Sequence, residues 1–414
     1  MKRNDNMEFI EDIDKNEYTK FVLNHKMSHF LKSYEWGQVS KKRGLIPHYV
    51  GLKEKNKIVA TALLLEKKLP LGYKYYYIPR GYTINYEDTK LLERLTNEIV
   101  KYAKRNNAIF FKIDPDIKLH TINENAQVVD GEENYKLVEN LKQIGFKHKK
   151  LNLYFENMQP RFTFRLNLHP TIEEIRKNYS KSTNRWIKIA DKYGVTTVIG
   201  EKKELPEFVR LMKMTEKRQG FFSHEYSFYE CLYDEFSKID SISLLLGKVN
   251  IEKILSVIEM ELEKCDNDKK REKLETQKAH YTQLKKTNHH DTVSAYINIH
   301  YGNKSWYLYG ANDMDYKDTY TNYKLFDFQI MLSKELKKDI FDEFGTIGNP
   351  KSTKSIAGLH EFKRKFGAEY TEFIGEFTYV VNPLMYFLFD KLVVLYRKPM
   401  KMLRHIKVKF QKNR

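Results

Sequence analysis

A few charged side chains, rather than any nucleophile, carry the chemistry that this sequence offers. Lys363 stands in the run Phe362-Lys363-Arg364-Lys365-Phe366-Gly367. Asp114 ends a strand-like stretch in Ile-Asp-Pro-Asp (113–116), where Pro115 fixes the turn that would aim it. Lys181, Arg185, Lys188 and Lys192 follow one another at spacings of four, three and four, which is one basic stripe along a helix. Cations of this kind hold phosphates or a developing oxyanion, and a carboxylate takes a proton. Each also has a plainer explanation as an exposed helix lysine, a strand-end cap or a solvated helix face. The patterns G-x-S-x-G, H-E-x-x-H, G-x-x-x-x-G-K-[ST] and G-x-G-x-x-G are all absent, and so is a Cys/His signature. The ATP, dinucleotide and covalent-nucleophile readings therefore lose their usual anchors. His289-His290-Asp291 lacks further spaced ligands and reads as a polar linker, so no metal is expected.

The stretch from Trp306 to Gly367 is the element that must position Lys363. It reads W-Y-L-Y-G-A-N-D, then apolar residues at helical spacing from Tyr323 to Leu336, then I-F-D-E-F-G-T-I-G-N, then G-L-H-E-F-K-R-K-F-G. The pattern predicts a buried strand, a crossover helix and a second strand that runs into a Gly-rich turn and a short basic helix. That is a parallel βαβ unit with a ligand crevice at the strand ends. The same order occurs earlier as Y-Y-Y-I-P-R-G (75–81), a helix near 87–105 and I-F-F-K-I-D-P-D (109–116), which reads as an internal repeat of one α/β module. Residues 8–45 read as a helix-rich opening, followed by a hairpin of strands at 47–53 and 58–66. Residues 161–168 alternate as a strand, and Thr171 with Glu174 makes a capping box. A helix from Glu207 to Gln219 ends at Gly220. Ile251, Leu255, Ile258, Leu262 and Cys265, followed by Leu274, Tyr281 and Leu284, predict an antiparallel helical hairpin inserted between two strands of the second module.

Composition bounds the rest. A chain of 414 residues exceeds one hydrophobic core, and 41% hydrophobic with 14% aromatic residues can fill two or three. Lys and Arg total 73 against 55 Asp and Glu, giving +18, and nine of those cations lie between Lys391 and Arg414. Such a balance favours polyanions: nucleic acid, anionic lipid or a diphosphate. The two cysteines, Cys231 and Cys265, form neither a CxxC site nor a disulfide framework, as in a reducing cytosol. No signal-peptide pattern is visible, and Pro383 to Tyr396 falls short of the roughly 20 apolar residues that a membrane span needs. The expected location is cytoplasmic. Leu388, Leu392 and Leu395 with the tail cations predict peripheral contact with the inner membrane face.

Several of these stretches resemble the Fem-type aminoacyltransferases, which form interpeptide bridges in peptidoglycan. The resemblance rests on Tyr307 to Ala311, Asn322-Tyr323, Phe341 to Ile347 and Phe362 to Gly367, which match the family's strand, helix-opening, (Y/F)-D-x-x-G-x and F-K-x-x-F-G elements in order. The stripe segment also matches the family's K-S-x-R-x-x-I-x-x-A-x-K-x-G-V pattern. The resemblance implies an α/β fold of two GNAT-like acyltransferase modules. Module 1 would be residues 1–160, completed by C-terminal helices at 383–414; module 2 would be 161–382, with the helical arm at 250–288. It implies transfer of an amino acid from aminoacyl-tRNA to the side-chain amine of a stem peptide. The acceptor would be lipid II or soluble UDP-MurNAc-pentapeptide, and no cofactor would be needed.

The resemblance also places residues. Lys363 and Asp114 become catalytic, the first at the oxyanion or the tRNA 3′ end and the second at the acceptor. Trp36, Lys41, Arg218, Tyr309 and Phe362 become substrate-binding. Lys41 stands one position beyond the family's usual lysine, where Ser40 occurs here, and His224 stands where some relatives carry a further Arg. Lys181, Arg185, Lys188 and Lys192, with the arm, become tRNA contacts. Two alternatives compete. An acyl-CoA-dependent N-acyltransferase needs an R/Q-x-x-G-x-G/A loop, but P-R-G-Y-T and Y-G-A-N-D stand at the two equivalent places. A non-catalytic basic RNA-binding protein accounts for the stripe, arm and tail, but not for the F-K-x-x-F-G box.

Overall fold

Apolar runs that alternate or stay continuous form most of the strands of two sheets, which are three to twelve residues long. The computed structural model describes residues 7–149, 151–156, 158–287, 290–352 and 357–391. The first sheet holds, in spatial order, β1 (Met7–Ile10), β2 (Ile46–Glu54), β3 (Lys57–Lys68), β4 (Lys74–Ile78), β5 (Ala108–Ile113), β16 (Phe377–Val380) and β8 (Phe146–His148). The second holds β10 (Thr196–Gly200), β11 (Ile242–Lys248), β12 (Thr292–Tyr301), β13 (Lys304–Asn312), β14 (Ile340–Thr346), β9 (Phe162–Asn167), β15 (Glu369–Phe373), β6 (Lys118–Ile122) and β7 (Val128–Glu133).

Both expected βαβ units form. β4 and β5 run parallel around helix Thr89–Arg105, and β13 and β14 run parallel around helix Thr321–Glu335. The chain is therefore built of two α/β modules that repeat one strand–helix–strand unit. The β2–β3 hairpin turns through Lys55 and Asn56, both at positive φ (48° and 63°), as a two-residue turn between twisted strands requires. The Thr171–Glu174 capping box is present, and Gly220 closes helix Leu205–Gln219 at φ 72°.

The sheets do not follow a boundary at residue 160. After β5 the chain crosses through Asp114-Pro115-Asp116 and adds β6 and β7 to the second sheet. After β15 it crosses back through Ile374-Gly375-Glu376 and adds β16 to the first. The crossings run side by side, since the Ile374 N–H donates to Ile117 O at 2.9 Å and Phe377 pairs with Ile113. A shared apolar layer fills the space between the sheets, with Trp36, Leu63 and Tyr77 from one side and Leu211, Phe236 and Trp306 from the other. Trp306 is fully buried against His29 and Phe30, the kind of side chain that stabilises by about 1.5–3 kcal/mol when withdrawn from water.

The arm consists of helices Ile251–Glu263 and Asp268–Thr287 and is inserted between β11 and β12, as expected. Its buried seam differs in detail. Ile254, Val257, Ile258 and Tyr281 pack with Ala190, Tyr193 and Tyr316 of the body, whereas Leu255 and Leu262 are only half-buried. Sharing the seam with the body lays the hairpin against module 2, and the His280 ring nitrogen Nε2 is 2.7 Å from Asp315 O. A C-terminal helix begins at 383 and sets Tyr386 and Phe389 on Phe110 of the first sheet. The tail cations from Arg397 onward, and Leu392 and Leu395, lie outside the described residues. Among the described residues no helix is long and apolar enough to cross a membrane.

Candidate active site

The parallel pairing of β13 with β14 lasts only from Lys304↔Ile340 to Trp306↔Asp342. Beyond it the strands part, because β14 is bulged between Asp342 and Gly345 and Phe344 turns to φ 59°. Asp342 holds the bulge: its Oδ1 accepts the Phe344 N–H at 2.8 Å and the Thr163 hydroxyl at 2.5 Å. A second irregularity, where β13 pairs with β12, skips Leu308 and places both Leu308 and Tyr309 against the layer between the sheets. Tyr307 faces the other way, into the core beneath helix Thr321–Glu335. The gap thus opens between the two faces of the second sheet, at the carboxyl ends of a parallel pair.

Lys363 fills the helix side of this gap. Far from being an exposed helix lysine, it is 3% exposed. Its Nζ donates to three successive main-chain carbonyls of the bulge, those of Glu343, Phe344 (3.2 Å) and Gly345 (2.8 Å), and lies 5.4 Å over the Tyr307 ring. Burial lowers its pKa to about 8, against the opposing pull of Glu343 and Asp342. Glu343 is wholly buried, and neither of its carboxyl oxygens has a hydrogen-bond partner among the described residues. Burial pushes its pKa well above the usual carboxyl range, against the opposing pull of Lys363. Phe362 is half-buried among Tyr323, Phe326 and Phe366, which anchors the short helix Ala357–Lys363.

Asp114 occupies the first crossing. Its Oδ1 accepts the Arg80 N–H at 2.6 Å and its Oδ2 accepts the Tyr77 hydroxyl at 2.8 Å. Burial raises its pKa to about 7, although the Arg80 guanidinium and both hydrogen bonds pull it down. Asp116 is equally buried, yet Arg165 and Lys304 outweigh the cost of burial and keep it well below the usual range. Arg165 also donates to Asp342 at 2.9 Å, so one guanidinium ties the crossing to the bulge. Asp114 and Lys363 do not touch. Between them stands Pro160, which lines the small crevice at Asp114 and abuts Gly345, where an added Cβ would lie 2.5 Å from the proline ring.

The other expected residues divide. Trp36 is 5% exposed, belongs to the layer between the sheets and meets Phe30 edge-on at 5.6 Å. Lys41 is exposed and donates to Gln38 at 2.8 Å. Arg218 is exposed and donates to Asn312 O at 3.2 Å, at the end of β13. Tyr309 is half-buried beside Tyr229 and His224. His224 does not leave that corner without a cation. Burial and then the nearby Arg43 guanidinium lower its pKa to about 4, and Arg43 also acts on Tyr309. Lys181, Arg185, Lys188 and Lys192 are all exposed on helix Lys181–Lys192, and Lys192 pairs with Glu261 of the arm.

Several of these partners were not singled out from the sequence. Asp116 and Arg80 flank Asp114 and its strand in plain view, and Arg165 is the one cation inside an alternating strand. A charge at an inward position was the available signal. Glu343 gave none beyond its place in F-D-E-F-G. A large cleft, about 1440 Å³, lies elsewhere: Asp339 and Ile340 at the start of β14 line it, with Asp116, Arg165 and Asn134. None of the expected site residues lines that cleft. Ligands of open α/β sheets enter at the carboxyl ends of parallel strands, which favours the gap at Lys363 over the larger cleft. Among the described residues no group of three or more His, Cys, Asp or Glu could hold a metal.

The family model for FemAB matches residues 13–293 and 267–393. The chain is 28% identical over 408 residues to the Lipid II:glycine glycyltransferase of Staphylococcus epidermidis, covering 92% of this chain and 94% of that protein. The Staphylococcus aureus protein of the same name is 26% identical over 409 residues, with the same coverage. Among solved structures, the crystal structure of FemX matches with a TM-score of 0.77 at 26% identity, over 92% of this chain and 99% of that one. A conserved protein of unknown function from Bacteroides thetaiotaomicron, 10% identical with a TM-score of 0.51 over 90% of this chain and 98% of that one, shares the fold alone.

Proposed function

The chain belongs to the FemAB family, and from that premise we propose that it transfers an amino acid from aminoacyl-tRNA to the side-chain amine of the stem peptide of lipid II. The relatives named Lipid II:glycine glycyltransferase favour the lipid-linked acceptor over UDP-MurNAc-pentapeptide. The observation that carries the reading is the gap between β13 and β14, with Lys363 on one face of the sheet and Tyr309 on the other. An aminoacyl ester lying in the gap from the Lys363 side meets an acceptor amine coming from the side of Tyr309, Trp36 and Arg43. The acceptor diphosphate is held by Lys41, Arg43 and Arg218, three cations exposed at the ends of neighbouring elements.

The chemistry is aminolysis of an activated ester. The amine nitrogen forms a bond to the aminoacyl carbonyl carbon, the bond from that carbon to the ribose 3′ oxygen breaks, and the amine proton ends on the departing oxygen. Asp114, whose pKa of about 7 leaves it half ionised near neutrality, relays that proton. Lys363 holds the bulge through three carbonyls. Its longest contact, 3.2 Å to Phe344 O, is the one it gives up to the oxyanion. The reaction takes place at the cytoplasmic face of the membrane, where a lipid-linked acceptor presents its stem peptide.

The test is a transfer assay with purified protein, pools of charged tRNA, and lipid II or the UDP-linked precursor as acceptor. Label should move from aminoacyl-tRNA to lipid II. Transfer from acetyl-CoA, or none from any charged tRNA, would overturn the reading.

A further inference from the structure

Helix Lys181–Lys192 carries Trp186 among its exposed cations, and that indole has unusual company. Tyr320 stacks on it with ring centroids 5.4 Å apart and planes 9° apart, and Tyr323 lies 4.5 Å away. The Lys365 ammonium stands 4.6 Å over the indole. Tyr320 reaches its place only by adopting φ 51°, a left-handed backbone that a bulky non-glycine residue rarely takes. Trp186, Tyr320, Tyr323 and Lys365 all stay half-exposed, whereas Trp36 and Trp306 are 5% and 0% exposed. The rings also lead somewhere. Tyr323 is 5.1 Å from Phe362, the residue next to Lys363. Exposed phosphate-binding cations at one end, half-exposed aromatic faces in the middle and the gap at the other end are the parts of a single-stranded nucleic-acid track.

We propose that Trp186, with Tyr320, Tyr323 and Lys365, is a stacking platform for the unpaired 3′-terminal bases of the RNA donor, and that it delivers the aminoacyl end to Lys363. The proposal rests on aminoacyl-tRNA being the donor. Lys181, Arg185 and Lys188 hold the backbone phosphates where the strand leaves the duplex. A base arriving on the indole face displaces the Lys365 ammonium, whose flexible stem lets it follow onto that nucleotide's phosphate. Stacking tolerates any base, so the platform serves whichever tRNA carries the amino acid.

Trp186 is the only half-exposed tryptophan of the three, so the part of the emission that Trp186→Phe removes reports on the platform. Uncharged tRNA should quench it, and tRNA lacking its three 3′-terminal nucleotides should bind on the order of tenfold more weakly without quenching. Trp186→Ala should raise KM for charged tRNA by a similar factor with kcat little changed, and Trp186→Phe, which keeps a ring, should restore most of the loss. Equal binding of intact and shortened tRNA, with unchanged emission, would overturn the platform and leave the tRNA donor standing. Binding of neither RNA would overturn both.

Discussion

The same strand–helix–strand unit occurs twice in this chain, and its two mouths differ. In the first module β4 and β5 stay paired to their ends, with Tyr77↔Lys112 and Ile78↔Ile113 in register. Asp114 then latches the mouth by accepting the Arg80 N–H at 2.6 Å. In the second module pairing stops at Trp306↔Asp342, and the strands part around a bulge whose carbonyls face Lys363. A carboxylate stands there too, Asp342, but it accepts the Phe344 N–H of its own strand and the Thr163 and Arg165 side chains of β9. The closed end carries a carboxylate bond across its mouth, and the open end carries a bulge. A repeated scaffold thus yields one open mouth, while the closed copy contributes its buried acid to the crossing between the modules.

The comparison breaks most readily at Lys363. Lys363→Met removes the donor to the carbonyls of Glu343, Phe344 and Gly345, of which Phe344 O keeps the Thr163 hydroxyl at 2.9 Å; each buried carbonyl left unpaired costs about 1–3 kcal/mol. The melting temperature should fall, and single-turnover transfer by the folded fraction should drop on the order of a thousandfold. Wild-type turnover by the folded variant would remove Lys363 from the site. At the closed mouth, Asp114→Asn should lower transfer on the order of a hundredfold. It should also abolish a rise of kcat/KM through about pH 7 that the ionising carboxyl gives the wild type. Stability has the opposite sign. An unfolded aspartate releases its proton near 3.8 and the folded one near 7, so the stability from protonated Asp114 is full below 3.8 and lost as pH rises through about 7. Wild-type melting should therefore decline between pH 5 and 8, and the Asn variant should lack that part of the decline. A parallel decline in both would assign the titration elsewhere.

Smaller effects sharpen the contrast between the two faces of the gap. Arg43→Ala removes a cation beside His224 and Tyr309 on the acceptor face. KM for lipid II should rise about tenfold while KM for charged tRNA stays constant; a change in the tRNA term alone would place Arg43 on the donor side. On the opposite face, Glu343→Gln should change kcat by no more than roughly threefold, because glutamine keeps the shape of a neutral carboxyl group. A much larger loss would mean that Glu343 is ionised in the working enzyme and acts as a counter-charge to Lys363.

Local patterns were enough to place many elements. The capping box at Thr171 and Glu174, the stripe from Lys181 to Lys192, the arm between β11 and β12, and both βαβ units follow from periods of 3.6 and 2 and from residues three or four apart. Lys363 and Asp114 drew attention through the resemblance to the Fem-type family, since local pattern alone reads them as an exposed helix lysine and a strand-end cap. What tertiary structure decided is where those side chains point and what they meet. Tyr309 faces the layer between the sheets because β13 skips one residue against β12, and the gap opens because β14 bulges against β9. Lys363 is buried because that bulge turns three carbonyls toward it. The crossings that join Asp116 to Arg165 and Lys304 unite residues 49 and 188 positions apart. Register between distant strands is a property of paired backbones, and a one-residue shift reverses every side chain beyond it, so no periodicity within one strand can announce it.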